Sequence, residues 1–305
     1  DAHLTSTAGN ISFPGSTITA QADDGGAGII SSKILLQTGS GAILGNASSL
    51  LDASRLALSG PDPVIELNAT TGIGAVGNPV IVNQQSVVIA NNSGATGDLA
   101  FAASGDMDID NLSQVVNHAP GGVVDITALG GNITVSTLAS IDYGGLTLHS
   151  NLTGGTITVD GGLTTTAAGK TIALQADNLV LNGPVNAGAT GTVAVTPYSP
   201  IQLIDLGGVN SLGVLGIDST SLSNITAGTL RIGDLMNTGG ITVTDASTLP
   251  ASVTTLSLIT GGSISQTAPI SVANLAVQSG GNVDLSDGGN VVGTLAAHLT
   301  GWLNF

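Results

Sequence analysis

The feature that most limits what this chain can fold into is a short unit that keeps returning. An aliphatic residue, a small or polar residue and a second aliphatic residue sit between glycine or asparagine turns. Gly130-Gly131-Asn132-Ile133-Thr134-Val135 and Gly154-Gly155-Thr156-Ile157-Thr158-Val159 are near copies. Gly239-Gly240-Ile241-Thr242-Val243, Gly261-Gly262-Ser263-Ile264-Ser265 and Gly280-Gly281-Asn282-Val283-Asp284-Leu285 begin 22 and then 19 residues apart. Leu146-Thr147-Leu148, Ile172-Ala173-Leu174, Leu179-Val180-Leu181 and Val193-Ala194-Val195 follow the same rule. Such alternation places the outer two side chains on one face of a strand and the middle one on the other.

A strand of three to five residues is not stable alone. Many of them at a period of ~20 residues indicate a stacked solenoid. The expected fold is all-β: a right-handed parallel β-helix (β-solenoid) with roughly 20 residues and two or three short strands per coil. Ile and Val would stack inward, Thr and Ser would point outward, and glycine would take corners that need positive φ or close backbone approach. Roughly 15 coils at about 4.8 Å each give a rod on the order of 70 Å. Residues 1–305 read as one such rod. Thr196-Pro197-Tyr198-Ser199-Pro200 interrupts the rhythm and is expected to be a loop excursion at 196–200. A β-sandwich would need longer strands and bulky side chains to fill a core about 10 Å thick; aromatics are only 2% of the chain.

Charged residues are 8% of the 305 and there are 45 glycines, against about 25% charged residues in an ordinary globular domain. A mean hydropathy of +0.44 argues against disorder. Apolar runs are broken well before the ~20 residues that cross a bilayer, so membrane insertion is not expected. Cysteine is absent, which excludes a disulfide scaffold and thiol chemistry and fits an exported bacterial protein as well as a cytosolic one. The net charge is −16, and Glu66 is the sole glutamate. That charge repels phosphate backbones, so nucleic acid is not an expected partner; it favours solubility and could attract divalent cations. No basic and apolar leader opens the sequence at Asp1, so a removed signal or an internal piece is expected.

Two stretches carry a resemblance. "SLSNITAGTLRIGD" with "NTGGITVTDA" (221–246) and "APISVANLAVQSGGNVDLSDGGNVVGTLAA" (268–297) resemble the repeats of filamentous haemagglutinin-like exoproteins of Gram-negative bacteria. The likeness is clearest over 200–297 and concerns repeat style. It implies a secreted or cell-surface β-helical protein serving adhesion, aggregation or biofilm. Two features depart from the family. The Asn-Pro-containing secretion motifs of its export domain are not evident, Asn78-Pro79 standing in another context, and its members are usually far longer. Function has to be argued from sites.

The residues offer little chemistry. A polysaccharide lyase needs Arg or Lys to hold a uronate, and the whole supply is Lys33, Arg55, Lys170 and Arg231, widely spaced. A hydrolase needs two carboxylates at a set separation. Asp23-Asp24 lacks a Gly-His-Gly turn and an Arg-Ile-Lys strand, 231–233 reading Arg-Ile-Gly. No catalytic residue and no cofactor are therefore expected. Asp106, Asp108 and Asp110 alternate and would share a face, with Met107 and Ile109 inward. They could hold calcium, which wants 6–8 oxygens, or form a solvated face; the low ligand count favours the latter. His3, His118, His149 and His298 show no metal-ligand spacing. An ice-binding face would need a flat, regular threonine array, and threonines such as Thr164-Thr165-Thr166 are irregularly spaced along the chain.

A parallel β-helix has two open ends that solenoids normally protect, and neither end shows an amphipathic capping helix. The segment 298–305 reads His-Leu-Thr-Gly-Trp-Leu-Asn-Phe and holds the sole tryptophan. Trp302, Leu303 and Phe305 are expected either to plug the last coil or to dock on the next molecule. The second reading makes the partner another copy of the chain, head to tail, giving an open filament. The alternative reading is a monomeric adhesin that binds glycan or matrix through a lateral face.

Overall fold

A computed structural model of the chain describes residues 1–22, 32–55, 63–83, 86–109, 115–136, 139–141, 144–165, 167–246 and 249–305. The structure is all-β and built on long parallel sheets. Among the described residues one helix occurs, the five-residue turn Ser219–Ser223, capped at its start by the Asp218 side chain. Among the described residues the pairings between these strands are parallel, and the isolated bridges Ala75–Asn78 and Ser211–Val214 are antiparallel.

Period-2 alternation decides which residues form the core. In the fourteen-stranded sheet, Leu99, Val124, Leu146, Ile172, Val193, Leu230, Leu256 and Leu275 stand in register one after another. Two residues along each strand, Phe101, Ile126, Leu148, Leu174, Val195, Ile232, Leu258 and Val277 make a second column. Both columns are buried. Met107, Ile133, Ile157 and Leu179 do the same in a four-stranded sheet, as do Leu215, Ile204, Ile241, Ile264 and Val283 in a six-stranded one. Fully burying one such side chain is worth about 1.5–3 kcal/mol, so the columns are the main source of cohesion. A five-stranded sheet runs from Ala2–Ser6 through Lys33–Thr38, Val64–Ala69 and Val87–Asn92 to Val115–Asn117.

The interval between paired residues is not uniform. Ile34 pairs with Ile65, 31 residues on, and Val195 with Ile232, 37 residues on. Intervals near 20 occur late, as at Leu256 to Leu275 and Leu275 to Leu295. Strand residues hold the register, and the turns between them absorb the difference in length.

The largest irregularity lies just beyond the expected loop at 196–200. Ser199 closes that turn by donating its backbone N–H to the buried Asp177 carboxylate at 2.7 Å. The chain then forms Leu203–Gly207 and, after only six residues, Val214–Asp218, which pairs parallel to it. Parallel neighbours normally need a connection of a dozen or more residues. Here Gly207, at φ +107°, starts the short return. Val214–Asp218 forms the outer strand of the six-stranded sheet, while Leu203–Gly207 pairs onward with Ile241–Val243. On the side of the four-stranded sheet, the Asn210 side chain takes the place of a strand. Its Nδ2 donates to Leu179 O at 2.7 Å, and its Oδ1 accepts from Leu179 N at 3.3 Å and from Gly216 N at 3.1 Å.

Candidate functional site

The outermost strands of the sheets are where the core becomes visible. The long sheet ends at Val291–Leu299, paired on one side with Ser271–Ser279. The six-stranded sheet ends at Leu303–Asn304, paired with Val283–Asp284. The five-stranded sheet begins at Ala2–Ser6, paired with Lys33–Thr38. Each of these strands continues an inward column, and among the described residues none has a strand on its other side. Leu4 stands in register with the buried Leu36 but is itself 47% exposed, and Leu303, in register with the buried Val283, is 38% exposed.

The three residues singled out in the sequence lie at this edge. The Trp302 carbonyl accepts from Val283 N at 2.9 Å, and the Asn304 carbonyl accepts from Leu285 N at 2.8 Å. The segment thus extends the sheet by one strand. The Trp302 and Phe305 side chains remain 53% and 50% exposed. Leu4, exposed in the same way as Leu303, was not among the residues singled out in the sequence. Only register shows that Leu4 faces an open edge.

Several of the charged residues are tied to neighbouring segments. Lys33 Nζ lies 2.6 Å from Glu66 Oε2, and Asn68 Nδ2 donates to Glu66 Oε1 at 2.9 Å. Hydrogen bonding from Lys33, then from Asn68, holds the Glu66 carboxyl below the usual carboxylate range. Lys170 Nζ donates to Pro120 O at 2.6 Å, and Arg231 is exposed on the long sheet. The Arg55 side chain, Asp23-Asp24, Asp110 and Thr166 lie outside the described residues. Met107 and Ile109 point inward and Asp108 outward. Asp106 Oδ1 accepts from Asn132 N at 2.7 Å, and Asp108 accepts from the Ser136 hydroxyl. Among the described residues no group of three His, Cys, Asp or Glu side chains could hold a metal ion.

Register also brings together residues that the sequence kept apart. His149 Nδ1 lies 2.7 Å from Gln175 Oε1, and its Nε2 lies 3.4 Å from Asp125 Oδ1. Burial pushes the Asp125 carboxyl up, His149 draws it back down, and Asp98 adds to the rise. Thr171, Thr192, Thr229 and Thr255 form one outward column, continued by Asn274 and Thr294. Their intervals of 21, 37 and 26 residues hide that regularity in the sequence. The parallel column beside it carries Ala173, Ala194, then Arg231, Ser257 and Ala276, so a bulky charge interrupts the small residues. Tyr198, Ile201, Val209, Leu212, Leu235 and Met236 are exposed, on turns that Thr238 N donating to Pro200 O at 2.6 Å helps to join.

Among the described residues no helix is long and apolar enough to cross a membrane. No protein-family model matches the chain, and no curated protein or solved structure matches it.

Proposed function

We propose that the chain is a non-catalytic structural body, wound as a right-handed parallel β-helix, whose copies associate end to end into an extracellular filament or surface fibre for adhesion or biofilm. The observation that carries this reading is the pair of outer edges at which core columns stand uncovered: Leu4 at one and Leu303 at the other, with the exposed Trp302 and Phe305 beside it. Parallel pairing between the strands of all the described sheets supports the winding, because crossovers between parallel strands are right-handed in about 98% of cases. Unpaired strand edges are templates for another chain. Stacking would pair those backbone groups and cover the exposed aliphatic and aromatic side chains together. A head-to-tail contact of this kind does not close on itself and so propagates.

Several further points support the assignment. The chain has no cysteine and a net charge of −16, which suits an exported, soluble polymer. Its repeats at 221–246 and 268–297 resemble those of filamentous haemagglutinin-like exoproteins of Gram-negative bacteria. We assign no catalytic residue. Asp106, Asp108 and Asp177 accept hydrogen bonds from Asn132, Ser136 and Ser199, 22 to 28 residues further along the chain, and Glu66 is paired with Lys33.

Electron microscopy of the purified protein over a rising concentration series tests the assembly. Filaments with an axial repeat of one molecule are expected, and Leu303→Lys should abolish them while leaving the circular dichroism spectrum unchanged. Discrete particles at the highest concentration, or filaments unaffected by that substitution, would refute the reading.

A further inference from the structure

One inward column runs from the first coil to the last. The residues aligned from Leu99 to Leu275 in the long sheet continue through Ile73 and Ile43 to Ile11 at one end, and to Leu295 at the other. Each end of the column lies on a strand that, among the described residues, has no strand beyond it: Ile11–Ser12 and Val291–Leu299. The free backbone groups of these two strands complement each other. Within the column each member bonds the residues that flank its counterpart in the next coil. Ile43 N donates to Gly72 O at 3.1 Å, and Ile43 O accepts from Gly74 N at 2.8 Å. Ile73 bonds Asp98 O and Ala100 N in the same way, at 2.8 and 2.7 Å. Ile11 N and Phe13 N donate inward, to Ala42 O and Leu44 O. Backbone groups alternate along a strand, so the Asn10 carbonyl and the Ser12 N–H face the open edge. At the other end Thr300 N donates inward to Ser279 O at 3.2 Å. Alternation back along that strand turns the backbone groups of Leu295, Ala297 and Leu299 to its open edge.

We propose, resting on the end-to-end reading above, that copies join in one register, with Ile11 of one copy seated on Leu295 of the other. Leu295 N then donates to Asn10 O, and Leu295 O accepts from Ser12 N, so the column's own bonding pattern crosses the contact. Pro14 has no N–H and ends the ladder there. Side-chain volume selects the register. Phe13 sits against a small neighbour in its own molecule: a Cβ added to Gly45 would lie 3.4 Å from its ring. With Ile11 on Leu295, Phe13 meets Ala297 on its other side. Ala297 is exposed, although Val277, with which it pairs, is buried. A shift of two residues either way sets Phe13 against Leu295 or Leu299, and overpacking of that kind is destabilising. A shift of one residue turns the inward side chains outward. The contact therefore fixes both the polarity of growth and the rotation of each copy on the last.

The absence of cysteine from the chain permits a direct test. In this register Ser12 of one copy stands beside Ala296 of the other, about 4.8 Å away and within disulfide reach, whereas Ser12 and His298 would be about 8 Å apart and beyond it. All three residues are exposed. Filaments of the double variant Ser12→Cys with Ala296→Cys, oxidised with diamide, should run on a non-reducing gel as a ladder of multimers. Filaments of Ser12→Cys with His298→Cys should run as monomers. Filaments of the first variant that give no ladder, or equal ladders from both variants, would overturn the register and leave end-to-end assembly standing. Absence of filaments from the unmodified chain, seen by electron microscopy, would overturn both.

Discussion

Asn210→Ala tests whether one side chain can stand in for a strand. The four-stranded sheet ends at Asn178–Leu181, and the next strand outward, Val214–Asp218, belongs to the six-stranded sheet. The Asn210 amide fills the step between them with three hydrogen bonds, two to the backbone of Leu179 and one to that of Gly216. Alanine removes all three and leaves a carbonyl and two N–H groups unpaired. A hydrogen bond contributes about 0.5–1.5 kcal/mol net, and an unsatisfied buried group costs about 1–3 kcal/mol. A cleft of about 500 Å³ that reaches Asn178 and Gly213 admits water nearby, which places the expected loss at the lower end, about 2–4 kcal/mol. Stability in a stacked array is close to a sum of nearest-neighbour terms, so the damage should be local. Native-state hydrogen exchange is the decisive assay: the Leu179 and Gly216 amides should lose protection while that of Leu148 keeps it. Asn210→Asp should be worse at neutral pH than in acid, because a carboxylate faces the Leu179 carbonyl where a protonated acid could donate to it. A loss below about 0.5 kcal/mol with Leu179 still protected would refute the reasoning.

Other substitutions probe other terms. Leu148→Ala opens a cavity in a buried column and should cost about 2–5 kcal/mol, read from urea unfolding. Gly233 has φ +78°, and a Cβ there would lie 2.3 Å from Ile259 O, whereas Gly154 has φ +74° and no atom within 4 Å. Gly233→Ala should therefore lower the urea midpoint at least twice as much as Gly154→Ala, whose cost is the left-handed backbone alone, about 1–2 kcal/mol. The Glu66 carboxyl is lowered in the fold, so its contribution is present above the ordinary carboxylate range and is lost as pH falls through the folded value. Glu66→Gln should destabilise above the ordinary carboxylate range and progressively less as pH falls below it. Asp125 is raised in the fold, so its ionisation opposes folding as pH rises through the folded value. Asp125→Asn should gain on the native chain over that same rise, measured by urea midpoints across pH.

The aliphatic triplets determined a good deal without any coordinates. Ile133-Thr134-Val135 and Ile157-Thr158-Val159 read as short strands with their aliphatics on one face, and they pair parallel with those aliphatics buried. The sole tryptophan and a neighbouring phenylalanine were visible as outliers in an aromatic-poor chain, and they lie on an uncovered strand edge. Alternation is a local property of covalent geometry: successive side chains point to opposite faces whatever the strand pairs with. Register is not local. It depends on how many residues each turn absorbs, and that number ranges widely here. Only the folded chain therefore aligned Thr171 with Thr192, Thr229 and Thr255, set His149 beside Asp125, left Asn91 Oδ1 without a donor, and placed Asn210 where a strand would otherwise lie. Each of these follows from hydrogen bonding between strands 20 to 40 residues apart, through turns whose lengths carry no mark of the height at which the next strand docks.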